Sequence, residues 1–161
     1  MGDTYTHGSK RGYYSLKHEG FYNLNDILKD LKNKLKNLKY DIIDKEHSES
    51  NGNAGREEEF AWNCSKDVTE YIKFKIEMKI LTLHQIDVMV EKKKMQKGDF
   101  ELRVTAIMSS NYNKSFKTTR AGKIKAHLYE KLVIAKKLES SEDNLKEEVK
   151  IIIDLIKNHL Y

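Results

Sequence analysis

Apolar residues recur along this chain with two different periods. From residue 24 the spacing is helical. Leu24, Ile27, Leu28, Leu31, Leu35 and Leu38 share a face, Lys29, Lys32, Lys36 and Lys39 lie opposite, and Asn23 or Asn25 is placed to cap the first turn. The centre of the chain alternates instead. Phe60, Trp62 and Cys64, then Ile72 to Ile80, then Ile86, Val88 and Val90, then Phe100 to Met108 place an apolar side chain at every second position. Such alternation predicts antiparallel strands with one buried face. The turns fall at "NGNAG" (51–55), "SKDV" (65–68) and "KKKMQKGD" (92–99), and "YDIID" (40–44) supplies a first strand, giving a curved meander of about five strands.

Helical spacing returns through Ile124, Leu128, Leu132, Ala135 and Leu138, and again through Leu145, Val149, Ile152, Ile156 and Leu160. The two sets keep one phase, as a single long helix would, while Ser140 with Asp143 offers a capping box and a place to break. An unbroken helix over 124–160 would be about 55 Å long and would outreach a ten-residue strand of about 34 Å. Its protruding end, bearing Ile151, Ile152, Ile153 and Leu155, would need cover, and self-association through Ile152, Ile153, Ile156 and Leu160 would provide it. The fold class is α+β: an antiparallel meander packed by an N-terminal helix and a long C-terminal helix, on the helix-grip, START-like plan. Residues 1–20, rich in Gly, Tyr and basic side chains, form a partly ordered arm in which "HGSKRG" (7–12) reads as a turn between two short extended pieces, and residues 21–161 form one domain.

Composition narrows the setting. The 161 residues carry 30 Lys and Arg against 25 Asp and Glu, a net +5, which favours an anionic partner only mildly. Cys64 is the single cysteine, so no intramolecular disulfide forms, and a reducing cytoplasmic compartment is expected. No apolar run approaches the roughly 20 residues needed to span a bilayer, so no membrane is expected as a partner.

The pieces "RGYYSLKHEGFYNLNDILKDLKNKL", "YDIIDKEHSE", "MQKGDFELRVTAIMSSNY" and "LYEKLVIAKKLE", in this order, resemble a set of small archaeal α+β proteins built from a charged helix, a β-meander and a charged C-terminal helix. The resemblance spans most of residues 11–160. It implies one soluble cytoplasmic domain and transfers no activity or functional residue.

Chemistry is sparse. The six histidines are scattered without a partner three or four positions away, so neither a metal nor a cofactor is expected. "NGNAG" lacks the spacing and the Lys-Ser or Lys-Thr of a phosphate loop. Cys64 reads as a buried strand residue with nothing to activate it. Glu58 shares a face with Phe60 and Trp62; in an apolar cavity it would be a candidate acid or base, and at a frayed strand start it would reach water. Phe60, Trp62, Phe74, Met78, Phe100 and Met108 would line any cavity between sheet and helix, or simply fill it.

The most suggestive stretch is "NYNKSFKTTRAGKIK" (111–125). Lys114, Lys117, Arg120, Lys123 and Lys125 offer charge, and Tyr112 and Phe116 offer stacking faces, at the entrance to a helix where backbone N–H groups favour anions. The expected function is a non-enzymatic cytoplasmic interaction module, self-associating or bound to a protein partner through Ile152, Ile153, Ile156 and Leu160. RNA binding through 111–125 and carriage of a small apolar ligand are the alternatives.

Overall fold

The computed structural model describes residues 4–6, 9–110 and 119–161. In chain order the elements are β1 (Thr4–Thr6), β2 (Ser9–Tyr22), α1 (Leu24–Asn37), β3 (Asp41–Gly52), β4 (Gly55–Asp67), β5 (Ile72–Val90), β6 (Lys93–Ser110), α2 (Arg120–Leu132) and α3 (Ala135–Lys157). Among the described residues the strands form one six-stranded antiparallel sheet in the order β1-β2-β6-β5-β4-β3. The fold is α+β, with a β3-to-β6 meander covered by the N-terminal helix and the long C-terminal helix.

Helix α1 forms where the period predicts it. The Asn23 side chain accepts from the Asp26 amide, and Leu24, Ile27, Leu31 and Leu35 are buried. On α3 the inward row is Leu145, Val149, Ile152 and Ile156. Both rows meet the inner face of the sheet in one core that includes Trp62, Cys64, Phe74, Ile76, Met78, Phe100 and Leu102. All of these side chains are nearly or fully out of water. At roughly 1.5–3 kcal/mol for each large apolar side chain enclosed, this shared core is the main attraction holding helices to sheet.

Three features depart from the sequence reading. First, Ser9–Tyr22, placed largely within the partly ordered arm, is a strand paired along its length with β6, from Ser9↔Ser109 to Tyr22↔Gln96. Its inward positions run Gly12, Tyr14, Leu16, His18, Gly20 and Tyr22, and two glycines and a histidine hide the alternation. Second, Ile72–Val90 is one strand rather than two, with a bulge between Leu83 and Ile86. His84 adopts a left-handed φ of 52° there, and the extra residue shifts the phase at the bend itself; beyond it Val88 and Val90 are half-buried while Asp87 and Met89 are exposed. Gln85 consequently turns inward, and Ile86, expected inside, is half exposed.

Third, the C-terminal helical stretch breaks at Val133–Ile134, not near Ser140, and Ser141 is buried within α3. The break allows α3 to lay its row of isoleucines on the sheet. Ile152 and Ile156, expected at a protruding end, are fully buried in the protein's own core; Ile153 and Leu160 pack partly against it.

Backbone contacts at the bulge explain two glycines. A Cβ on Gly98 of β6 would stand 2.6 Å from the Leu83 carbonyl oxygen, and one on Gly55 of β4 would stand 2.7 Å from the His84 carbonyl carbon. Only a residue without a side chain lets both neighbours approach the bulge.

Candidate interaction surface

Helix α2 is positioned by its inner side. Thr119 caps it by accepting from the Gly122 amide at 3.2 Å, and Gly122 is buried. About two turns further on, the Tyr129 ring packs edge-on against Tyr71 with centroids 5.3 Å apart. Glu130 accepts from the Tyr71 hydroxyl at 2.7 Å and from the Ser110 hydroxyl at 2.6 Å. Burial first, and then the Glu130 hydrogen bond, push the Tyr71 phenol up from its ordinary range. The inner side of the helix is thus fixed to the end of the sheet by polar and aromatic contacts.

Its outer side is apolar and bare. Ile124, Leu128 and Leu132, at four-residue spacing, are 54%, 49% and 75% exposed, and Val133 continues the exposure past the last turn. Of the ten large apolar residues exposed among those described, these four lie within ten positions of one another, so the patch is a concentration and not ordinary scatter. The helical wheel puts Arg120, Lys123, His127 and Lys131 along one flank of the stripe and Lys125 along the other, all exposed. A shallow groove of about 640 Å³ follows this side, lined by Arg120, Lys123, Ile124, His127 and Leu128.

The predicted anion site is therefore divided. Arg120, Lys123 and Lys125 are exposed, but they bracket an aliphatic stripe instead of converging on one point. Tyr112, Lys114, Phe116 and Lys117 lie outside the described residues. The stripe itself escaped the sequence reading, because Ile124, Leu128 and Leu132 share the phase of α3 and read as part of its buried face. The unusual clustering of basic residues around aliphatic ones was the available signal.

Two other polar clusters compete for attention. On the inner face at the glycine-lined bend, Glu58 is enclosed, its side chain 12% exposed. It accepts from Arg56 Nε at 3.0 Å and Gln85 Nε2 at 2.9 Å, with His47 Nε2 3.6 Å away. The Tyr22 hydroxyl donates to Gln85 at 3.2 Å. Gln96 accepts from the Leu24 amide at 2.9 Å and donates to Asp87 at 3.2 Å. That hydrogen bond, helped by Lys94 and Arg56, holds the Asp87 carboxyl below its ordinary range. Glu58 therefore sits neither in an apolar cavity nor at a frayed strand end. It is the hub of a network tying β4, β5 and β6 to the start of α1.

The second cluster joins α1, β4 and α3. Lys66 pairs with Glu148 and donates to the Leu38 carbonyl at 3.0 Å, while the Tyr40 hydroxyl donates to Glu148 at 2.6 Å. Among the described residues no buried side-chain nitrogen or oxygen lacks a partner. Both clusters spend their hydrogen-bonding capacity on the fold itself.

The remaining sequence candidates fall into place around them. Trp62, Phe74, Met78, Phe100 and Met108 belong to the packed core, and Phe60 stacks on His47 with centroids 4.3 Å apart. Cys64 is buried, and its enclosure pushes the thiol up to about 12. No group of three His, Cys, Asp or Glu among the described residues could hold a metal ion, and no described helix is long and apolar enough to cross a membrane. No known protein-family model matches the chain, and no curated protein is significantly similar to it.

Proposed function

We propose that this chain is a non-enzymatic binding module that docks a partner on the outward face of α2. The observation that carries the reading is the stripe of Ile124, Leu128 and Leu132, left open to water on a helix whose opposite side is firmly anchored. Water-exposed aliphatic residues in this concentration lower the free energy of any complementary surface that covers them. The expected self-association through α3 receives less support, since Ile152 and Ile156 are already sealed against the sheet. A single cysteine, which allows no intramolecular disulfide, is in keeping with a reducing compartment such as the cytoplasm.

The test is a photo-crosslinking amino acid placed at 128, with position 75 on the outer sheet face as control, in the cells that make the protein. The expected result is a defined adduct from 128, absent from 75 and lost when Leu132→Ser is added. Identical adducts from both positions, or none from 128, would overturn the reading.

RNA binding is the second reading, because the first turn of α2 contains no acidic residue while Arg120 and Lys123 add to the positive end of the helix dipole. Anisotropy with a mixed single-stranded RNA at two salt concentrations separates the two. RNA binding would weaken steeply with salt and with Lys123→Glu, and would be indifferent to Leu128→Ser.

A further inference from the structure

Charge decides what kind of partner the α2 face would accept. Along the helix stand Arg120, Lys123, Lys125 and Lys131 against one acid, Glu130, which is turned inward to Tyr71 and Ser110. The outward face thus carries an aliphatic centre with cationic borders. Two copies meeting through this face would oppose like charges along both borders. The protein does have an acidic row of its own, Glu139, Asp143 and Glu147 on α3, all exposed. Beside that row stand Ser140 and Asn144, also exposed, and only Ile151 at its end is apolar, so a second copy offers the charge without a matching aliphatic stripe. Nucleic acid would neutralise the lysines, yet its backbone has nothing aliphatic to lay on Leu128. A lipid surface suits longer stripes with aromatic members, whereas Ile124 to Leu132 spans only about 12 Å and has none.

We propose that the partner presents a short acidic amphipathic helix, about two to three turns long, whose leucine-type residues cover Ile124, Leu128 and Leu132 while its carboxylates meet Lys123, Lys131 and Lys125. This rests on the docking reading above and adds the chemical class of the occupant. The apolar contact supplies affinity, and the charged borders set orientation and reject the wrong helix.

The experiment uses the full chain and three fluorescein-labelled 18-residue peptides: one with a leucine stripe flanked by glutamates, its twin flanked by lysines, and the acidic composition scrambled to remove the stripe. Anisotropy should show binding of the first alone. Leu128→Ser, at an exposed position, should weaken it about tenfold or more, the worth of one enclosed leucine. Lys123→Glu with Lys131→Glu should transfer preference to the lysine-flanked twin, a reversal that simple unfolding cannot produce.

Equal binding of the two stripe peptides would overturn the charge selectivity. Binding of the scrambled peptide as tight as the first would overturn the amphipathic requirement. RNA, or phosphatidylserine vesicles, binding in a Leu128-dependent way more tightly than the acidic peptide would reassign the face to nucleic acid or lipid. Failure of all peptides with the crosslink at 128 intact would remove this inference and leave the docking reading standing; loss of the crosslink as well would remove both.

Discussion

Glu58 shows how far a single side chain's role depends on its neighbours. In an apolar surrounding its carboxyl would have been an acid held in reserve; beside Arg56 and Gln85 it is a crosslink between strands. Glu58→Ala would leave the buried Gln85 amide without its acceptor, and an uncompensated buried donor costs about 1–3 kcal/mol. We expect a loss of that size in urea unfolding with the far-ultraviolet spectrum unchanged. Cys64 makes a different prediction. Burial, and to a smaller extent the Asp44 charge, raise its thiol from an ordinary value of 9.0 to about 12. The unfolded chain then ionises first, so this contribution is intact below pH 9 and is lost as the pH climbs from about 9 to 12. Between pH 8 and about pH 10.5 the loss should be roughly 2 kcal/mol. Cys64→Ala should flatten that part of the alkaline limb in denaturant titrations; an unchanged limb would show that the thiol plays no part.

The elements show which parts of the fold the residue pattern could reveal. Helix α1 and the alternation through β4, the first half of β5 and most of β6 were legible because each repeats its period several times without interruption. Strand β2 was legible only as a short extended piece after a turn; its length and its pairing with β6 were not, since Gly12, His18 and Gly20 stand where apolar side chains would have marked its inner face. The far half of β5 was misread for a sharper reason: a single inserted residue at the bulge puts Gln85 inside and Ile86 outside, and beyond it Val88 and Val90 are only half-buried. Likewise the α2–α3 break cannot be seen in a phase that continues across it, so Ile124, Leu128 and Leu132 read as core, and only Arg120, Lys123 and Lys125 were picked out. The bulge is open to direct test. Gly98→Ala forces a Cβ against the Leu83 carbonyl at 2.6 Å and should cost about 1–3 kcal/mol. Gly52→Ala, whose Cβ meets its nearest neighbour at 3.4 Å, is the control and should cost distinctly less.

At the scale of the molecule, α3 acts as the clamp. Its interior row fills the core, Glu148 binds Lys66 and Tyr40 near its middle, and beyond its C-terminal end the Phe21 and Tyr161 backbones exchange hydrogen bonds at 3.0 and 2.9 Å. His159 adds a contact to Asp30 of α1 at 2.9 Å. Ile152→Asp, which buries a charge with no partner, should therefore prevent folding outright and not merely disturb association. A folded monomer carrying that substitution, seen by size-exclusion chromatography and circular dichroism, would contradict the position of α3.

The pairing of β2 with β6 also dictates an order of events. The β3-to-β6 hairpins join neighbours in sequence through short turns, whereas Ser9 must find Ser109, 100 positions further along the chain. Closing a loop of that length is slow and carries an entropy penalty before any contact repays it. The meander should consequently acquire amide protection first and the N-terminal strand last, a sequence that pulsed hydrogen exchange during refolding can read strand by strand. Until β2 arrives, the free edge of β6 is a template for any other extended chain, so the refolding yield should fall as protein concentration rises.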